Sequence, residues 1–262
     1  MADRKLAIVT GASTGIGFEL ASIAGREGYD LIVVADEPLI EAAARDFKQF
    51  GTDVQAVEAD LSSIEGIDRM LAAAGGRRID LVCANAGISK GGAFLDQSVE
   101  DWRHSIDTNV TGTVYLLQNV LRDMVARGSG KVLVTGSIAG YIPGSFNAIY
   151  NATKAFIDNF TEALRNELKD VEGVTLTTLM PGPTETEFFA RADMLDTSIG
   201  QSDKKADPAK VAQDGWDALI AGKGHIVSGL SNKLQVLGSG VLPQSTLAQM
   251  HRGMAEPGSA KE

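Results

Sequence analysis

Tyr150 and Lys154 stand four positions apart in a stretch with helical apolar spacing, so their side chains project from one face. A phenol with its ordinary pKa near 10 is a poor base at neutral pH. An ammonium group within about 4–6 Å favours the phenolate and lowers that value, making the pair a proton acceptor and donor. Ser137 lies 13 positions before Tyr150, at the end of the strand-like run Val134-Thr135-Gly136-Ser137. A hydroxyl there is placed to reach a substrate oxygen. Alone, a Tyr-x3-Lys pair is ordinary on a helix surface and a serine is ordinary in a glycine-rich loop. Their meaning comes from a second group of residues early in the chain. There Thr10-Gly11-Ala12-Ser13-Thr14-Gly15-Ile16-Gly17 joins a strand-like run to a helical stripe. A nucleotide pyrophosphate needs such a turn, because glycines let it approach the amides at a positive helix N-terminus. Asp36 follows Gly17 by 19 positions. At that spacing a carboxylate accepts hydrogen bonds from a ribose and repels a 2′-phosphate; before Pro38 it also fits a helix start.

The elements that must hold these groups follow from hydrophobic periodicity. Strands are predicted at Leu6–Val9, Leu31–Val34, Val54–Val57, Leu81–Cys83, Lys131–Val134, Thr175–Leu179 and His225–Val227. Helical stripes lie between them: Ile16, Leu20, Ile23 and Ala24; then Leu39, Ala42, Ala43 and Phe47. A long helix runs from Trp102 through Ile106, Val110, Val114, Leu117 and Leu121 to Met124, and another carries Ala155, Phe156, Phe160, Ala163, Leu164 and Leu168. Alternation of this kind predicts an α/β fold: a single doubly wound Rossmann-type domain with a parallel sheet of about seven strands and helices on both faces. The domain is expected to span 1–254. Within it, 183–210 reads as a long loop with an apolar inner surface (Phe188, Phe189, Met194, Leu195, Ile199), and 255–262 as a flexible tail.

Composition narrows the function classes. The 262 residues carry 34 acidic and 24 basic side chains, a formal charge of −10, which argues against nucleic acid or an anionic membrane as partner. His104, His225 and His251 lack metal-ligand spacing, so no metal is expected. Cys83 is the one cysteine, which excludes an internal disulfide, and it reads as a small buried strand residue. No apolar run approaches a membrane span and nothing marks export, so a cytoplasmic location is expected.

Thr-Gly-x3-Gly-Ile-Gly, then Asn85-Ala86-Gly87 after the fourth strand, then Tyr150-x3-Lys154, resemble in order and spacing the short-chain dehydrogenase/reductase family, from Lys5 to about Val227. The resemblance implies a nicotinamide cofactor and a catalytic set of Asn109, Ser137, Tyr150 and Lys154. Tyr150 would exchange the substrate proton, Ser137 orient its oxygen, Lys154 hold the nicotinamide ribose, and Asn109 hold a water leading from Lys154 to solvent. It further implies cofactor contacts from Gly11, Ser13, Thr14, Gly15, Ile16 and Gly17, from Asp60-Leu61 at the adenine, from Asn85, Ala86 and Gly87, and from Pro181, Gly182, Thr184 and Thr186 at the carboxamide. Ala84 departs from the family pattern, which has Asn there, so one side-chain hydrogen bond is lost. NAD is the expected cofactor, because Thr14 and Glu37 stand where NADP-preferring relatives carry Arg or Lys. The expected activity is hydride transfer between NAD(H) and an apolar or aromatic secondary alcohol or ketone, Tyr141, Ile142 and Phe146 adding to the apolar set. An NADP(H)-dependent reductase and a non-catalytic nucleotide sensor on the same fold are the alternatives. A homotetramer or homodimer is expected through the two long helices, with Val120, Ile157 and Ala163 off the sheet-covering stripe and facing a partner.

Overall fold

The structure, a computed structural model, describes residues 4–260. Its frame is a parallel sheet of β1 (Leu6–Thr10), β2 (Asp30–Ala35), β3 (Val54–Glu58), β4 (Ile79–Ala84), β5 (Gly130–Thr135), β6 (Val174–Met180) and β7 (His225–Val227), in the order β3-β2-β1-β4-β5-β6-β7. Every ladder is parallel. The chain crosses from β3, past β2 and β1, to β4, so the strand order reverses between β1 and β4, the place where this topology opens a crevice for ligands.

Strand side chains alternate between two apolar layers, which is why the strand runs are continuously hydrophobic. Ala7, Val9, Leu31, Val33, Leu81 and Leu133 pack against α1 (Gly15–Arg26), α2 (Leu39–Phe47) and, later in the chain, the helix Pro208–Ile220. Leu6, Ile8, Ile32, Val82 and Val132 face the other layer, built from α3 (Ile64–Ala72), α5 (Thr113–Arg127) and α6 (Ala148–Glu167), with α4 (Val99–Ile106) leading into α5. The remaining helices are α7 (Phe188–Arg191), α8 (Pro208–Ile220), α9 (Leu230–Ser239) and α10 (Gln244–Ala255). Helices α3, α4 and α8 are capped by their own side chains, Ser63, Ser98 and Asp207. Helix α1 is not: Thr14 makes no side-chain cap, and its first turn carries no acid, so its leading amides stay open toward the crevice.

Four expectations about elements need correction. The buried stripe of α2 is Ile40, Ala43, Ala44 and Phe47, while Leu39 is exposed, so the inner face lies one residue on from the predicted one. The long helix through Asn109 is not uniformly α-helical: α4 and α5 join through a π-helical turn, Asp107–Gly112. Val120 and Ile157 are core residues at 4% and 2% exposure, not an outward face. On α6 the sheet-facing side is Thr153, Lys154, Ile157 and Thr161, and it reads as polar because Thr161 satisfies its hydroxyl on the Ile157 carbonyl four residues back (2.7 Å). Phe156 is the outward residue instead, stacked on Phe160. Finally, the segment expected to fray from Ala255 is docked: Ala255 is buried, Ser198 donates from its amide to Ser259 Oγ and from its hydroxyl to the Ser259 carbonyl, and Asp196 accepts from the Gly258 and Ala260 amides. Lys261 and Glu262 lie outside the described residues.

The corrected face of α6 can be tested on stability. Ile157→Ala should destabilise the fold by about 2–5 kcal/mol, as for other buried aliphatic truncations. Ala163→Ser, at an exposed position of the same helix, should stay within about 0.5 kcal/mol. Urea midpoints of the two variants at constant slope check the contrast.

Candidate active site

The carboxyl ends of β1, β4 and β5 meet at one hydrogen-bond node. Thr10 Oγ1 accepts from the backbone amides of Asn85 and Ala86, both at 2.9 Å. The Asn85 side chain donates to the Thr10 carbonyl (3.2 Å) and accepts from Thr135 Oγ1 (3.0 Å). This node sets the floor of a cleft of about 790 Å³, within the usual size of small-molecule sites. Gly11, Ser13, Thr14, Gly15, Ile16, Asp36, Asp60, Leu61, Asn85, Ala86, Gly87, Ser137, Tyr150, Lys154, Pro181, Gly182, Thr184 and Thr186 all line it. Gly17 lies just behind the wall; a Cβ there would sit 2.0 Å from the Gly11 carbonyl oxygen, so only glycine permits this turn.

The cleft's glycine end fits a dinucleotide. Gly11 and Gly15 both hold φ near +60°, the left-handed region that favours glycine, and Thr186 packs so close to Gly15 that a Cβ would lie 2.8 Å from its methyl. Asp36 is exposed at the end of β2, on the cleft rim. It does not cap α2, whose N-cap is Pro38 without a side-chain bond, so the helix-start role is not the one it plays. Asp60 lies in the turn after β3, one carboxylate oxygen accepting from the Ser62 amide at 2.8 Å. Thr184 bonds the Gly182 carbonyl (2.9 Å) and pairs by a β-bridge with Ala206, which anchors the start of the 183–210 loop.

Arg191, on α7, was not foreseen. Its guanidinium donates to Glu37 Oε1 at 2.8 Å, and Ser13 Oγ donates to the same oxygen at 2.6 Å. Burial favours the protonated Glu37, but these two bonds outweigh it and hold the carboxyl below its usual range. A cation therefore does stand beside the β2 end, brought from 154 positions away. Local sequence around Thr14 and Asp36 carries no signal of it.

At the other end Tyr150 is half-buried, its ring 5.0 Å from that of Phe188, and Lys154 Nζ lies 5.7 Å from the Tyr150 ring centroid. Lys154 is 5% exposed and donates to the Thr135 carbonyl at 2.8 Å. Burial pushes the Tyr150 phenol above its ordinary value; the Ser137 hydroxyl pulls it down and Asp158 adds to the rise. The phenol of the cofactor-free protein is thus held above its ordinary value. Ser137 accepts from the Ala139 amide (3.1 Å) and donates to the Pro181 carbonyl (3.4 Å), which holds its oxygen on the cleft side of β5.

Asn109 sits in the π-helical turn and braces the site. Its amide nitrogen donates to the Ile88 carbonyl (2.8 Å) and to Thr153 Oγ1 (3.0 Å), and its oxygen accepts from the Ile88 amide (2.8 Å). Both N–H donors are used within the protein, so its observed work is to tie the segment after β4 to α6.

The apolar set divides. Ile142, Phe188, Phe189, Met194 and Ile199 line the cleft, joined by Ile88 and Met254. Leu195 is 51% exposed, Tyr141 bonds the Met180 sulfur, and Phe146 packs in the loop core beneath, so these three do not line it. Buried polar groups stand among the lining residues: Ser89, which donates to Asn147 Oδ1 at 2.6 Å, and His251 from α10. His251 Nδ1 faces the Ser145 carbonyl at 2.8 Å, an acceptor only, so Nδ1 carries the proton; burial lowers its pKa. Among the described residues no cluster of His, Cys, Asp or Glu could hold a metal, and no helix is long and apolar enough to cross a membrane.

Comparison with known proteins agrees with this geometry. Residues 5–194 match the short chain dehydrogenase family model. An uncharacterized oxidoreductase of Staphylococcus epidermidis is 36% identical over 193 residues, 72% of this chain and 82% of that protein. A short-chain dehydrogenase from Sphingobium yanoikuyae, solved with NADPH, superposes with a TM-score of 0.80 at 26% identity, covering 90% of this chain and 93% of that one. One from Burkholderia phymatum, solved with NAD, shares the fold at 22% identity, with a TM-score of 0.79 over 90% of this chain and 92% of that one. On this family match and the seven-stranded parallel sheet, the chain is an oxidoreductase of the short-chain dehydrogenase/reductase family.

Proposed function

We propose that the protein is an NAD-dependent dehydrogenase or reductase acting on a secondary alcohol or ketone, with Tyr150 as general acid and base. The single observation that carries this reading is that one cleft holds the open glycine turn at one end and Tyr150, Lys154 and Ser137 at the other. Gly11 to Ile16 at the start of α1 would hold the pyrophosphate, Asp36 the adenosine ribose, Asp60 and Leu61 the adenine. Asn85 to Gly87, Lys154, Pro181, Gly182, Thr184 and Thr186 would border the nicotinamide half. When bound, that cofactor accepts or gives the hydride, and its oxidised ring adds a positive charge beside the phenol.

In the oxidative direction Tyr150 takes the alcohol proton; in reduction it returns one to the carbonyl oxygen. Ser137, its hydroxyl held on the cleft wall, hydrogen-bonds that oxygen and stabilises charge developing on it. Lys154 favours the phenolate through its ammonium, held by the Thr135 carbonyl, and bonds the nicotinamide ribose. Ile88, Ile142, Phe188, Phe189, Met194 and Ile199 suit an apolar or aromatic body on the substrate, and exclude water from the transfer. Tyr150→Phe should cut turnover by at least about a hundredfold, the usual worth of a general acid–base group. NAD affinity, read by fluorescence titration, should stay within about threefold. Wild-type turnover by Tyr150→Phe with a panel of secondary alcohols would refute the assignment.

For the cofactor, Asp36 and Glu37 support NAD by repelling a 2′-phosphate, and Glu37 engages the nearby Arg191. A second reading, NADP(H), is favoured by Arg191 alone: released from Glu37, its guanidinium would suit a phosphate. The two separate on kcat/KM. NAD should exceed NADP by at least about tenfold, or 1.4 kcal/mol. Asp36→Ala with Glu37→Ala, which frees Arg191, should narrow or reverse that ratio.

For assembly we infer a homotetramer or homodimer across the outward faces of α5 and α6. Support comes from Phe156, 45% exposed and stacked on Phe160. Packing there would brace the helix that carries Tyr150 and Lys154. Light scattering should give a multiple of the 27.6 kDa chain mass, and Phe156→Glu should lower it.

A further inference from the structure

The turn from β5 to the short helical segment at Ile138–Tyr141 presses against α6 at two glycines. A Cβ on Gly136 would fall 1.8 Å from Asp158 Oδ1, and one on Gly140 would fall 2.7 Å from Asp158 Oδ2. Neither glycine has a positive φ, so the backbone does not require glycine at either place. The Asp158 carboxyl does. Both of its oxygens are shut away from solvent and no side chain hydrogen-bonds them; only the Ser137 backbone amide approaches.

A buried carboxyl so sparsely partnered is expensive, and a native chain that keeps one calls for an explanation. Helix stability does not supply it, because an acid four residues after a lysine is the weaker order for such a pair. Location does. Asp158 is one turn beyond Lys154 and two beyond Tyr150, so the three share one face of α6. The ionisable groups facing it are Lys154 and Tyr150 from its own helix and Tyr141 from the turn above; Glu162 lies one turn further, near Tyr141. The Ser137 amide and the Thr178 side chain complete its surroundings.

We propose that Asp158 is a positioning residue for the reaction: it is the counter-charge of Lys154, and it sets the pH window in which the Tyr150–Lys154 pair works. The inference rests on the general acid–base reading of Tyr150 above. Burial drives the Lys154 ammonium down and the Asp158 carboxyl up, and each charge pulls the other back toward its ionised form. The sign for Tyr150 is opposite: a carboxylate at 158 disfavours the phenolate. Removing the negative charge must therefore lower the proton affinity of Lys154 and of Tyr150 together.

Asp158→Asn keeps the shape and removes the charge; Asp158→Glu keeps the charge. In the full-length enzyme with NAD and a secondary alcohol, both limbs of the kcat/KM–pH profile should move to lower pH by about one unit in Asp158→Asn. Asp158→Glu should restore at least part of the shift. In the cofactor-free protein, the NMR titration of isotope-labelled Lys154 should move the same way. A folded Asp158→Asn whose Lys154 midpoint and both limbs match wild type would overturn the proposal. Should Asp158→Asn not fold, the wild-type protein still decides: labelled Asp158 must ionise below the Lys154 midpoint, and a carboxyl protonated throughout the active range overturns it. Tyr150→Phe separates the two levels. If that variant is inactive and Asp158→Asn has no effect, only this inference falls; if Tyr150→Phe is fully active, the acid–base reading falls with it.

Discussion

Everything that acts in this protein hangs on the polar contact among Thr10, Asn85 and Thr135 at the carboxyl ends of three adjacent strands. Parallel strands end with amides and carbonyls that the ladder no longer pairs, and the sheet splays there because the chain leaves β1 and β4 in opposite directions. One threonine hydroxyl accepting two amides, and one asparagine bridging two strands, close that gap without filling it. The crevice above therefore has a rigid floor at the place where the glycine turn, the Lys154 ammonium and the Ser137 hydroxyl must all be held. Lys154 is fixed to the Thr135 carbonyl, so the same strand end that anchors Asn85 also anchors the cation. Position is transmitted from sheet to chemistry in a single step.

Charge in the cleft is distributed in two separated pairs. Near β2, Glu37 draws Arg191 and Ser13 together and ties the loop after β6 to the glycine turn. Near α6, the buried Lys154 ammonium donates to the Thr135 carbonyl and shares its helix face with the Asp158 carboxyl one turn on. The first pair is partly exposed and is screened by solvent, so its Coulombic worth is small and its geometric role the larger one. The second is buried, and its electrostatics act at close to full strength.

What the linear sequence displays is whatever depends on neighbours within a few residues. All seven strands, the glycine turn, the Tyr150–Lys154 face and Ser137 depend on period and spacing, and they stand where those patterns place them. What it hides depends on approach in space. Arg191 meets Glu37 only because α7 folds over the glycine turn. His251 and Met254 reach the cleft from α10, and the stretch after Ala255 docks on 196–198 through hydrogen bonds that no apolar pattern announces. The inner face of α6 is only partly legible for a related reason: Phe160, Leu164 and Leu168 pack on the core as their spacing suggests, but the most buried positions include Thr153, Lys154 and Thr161, whose polarity is satisfied internally, while Phe156 stands outside. Asp158 is a further case, since only the two glycines across from it reveal that a carboxyl occupies that space.

The π-helical turn at Asp107–Gly112 carries a consequence for length rather than composition. A π turn is an α-helix holding one residue more than its register needs. Because consecutive residues of an α-helix are rotated by about 100°, deleting one residue between 107 and 112 would restore regular winding at the cost of turning one half of the rod against the other. Either Trp102 and Ile106 would leave their present side, or Leu117, Leu121 and Met124 would turn out of the core. Asn109 would lose its aim at Ile88 and Thr153 in both cases. The segment is therefore a gauge of chain length: the gain or loss of a single residue would be felt on both sides of the turn.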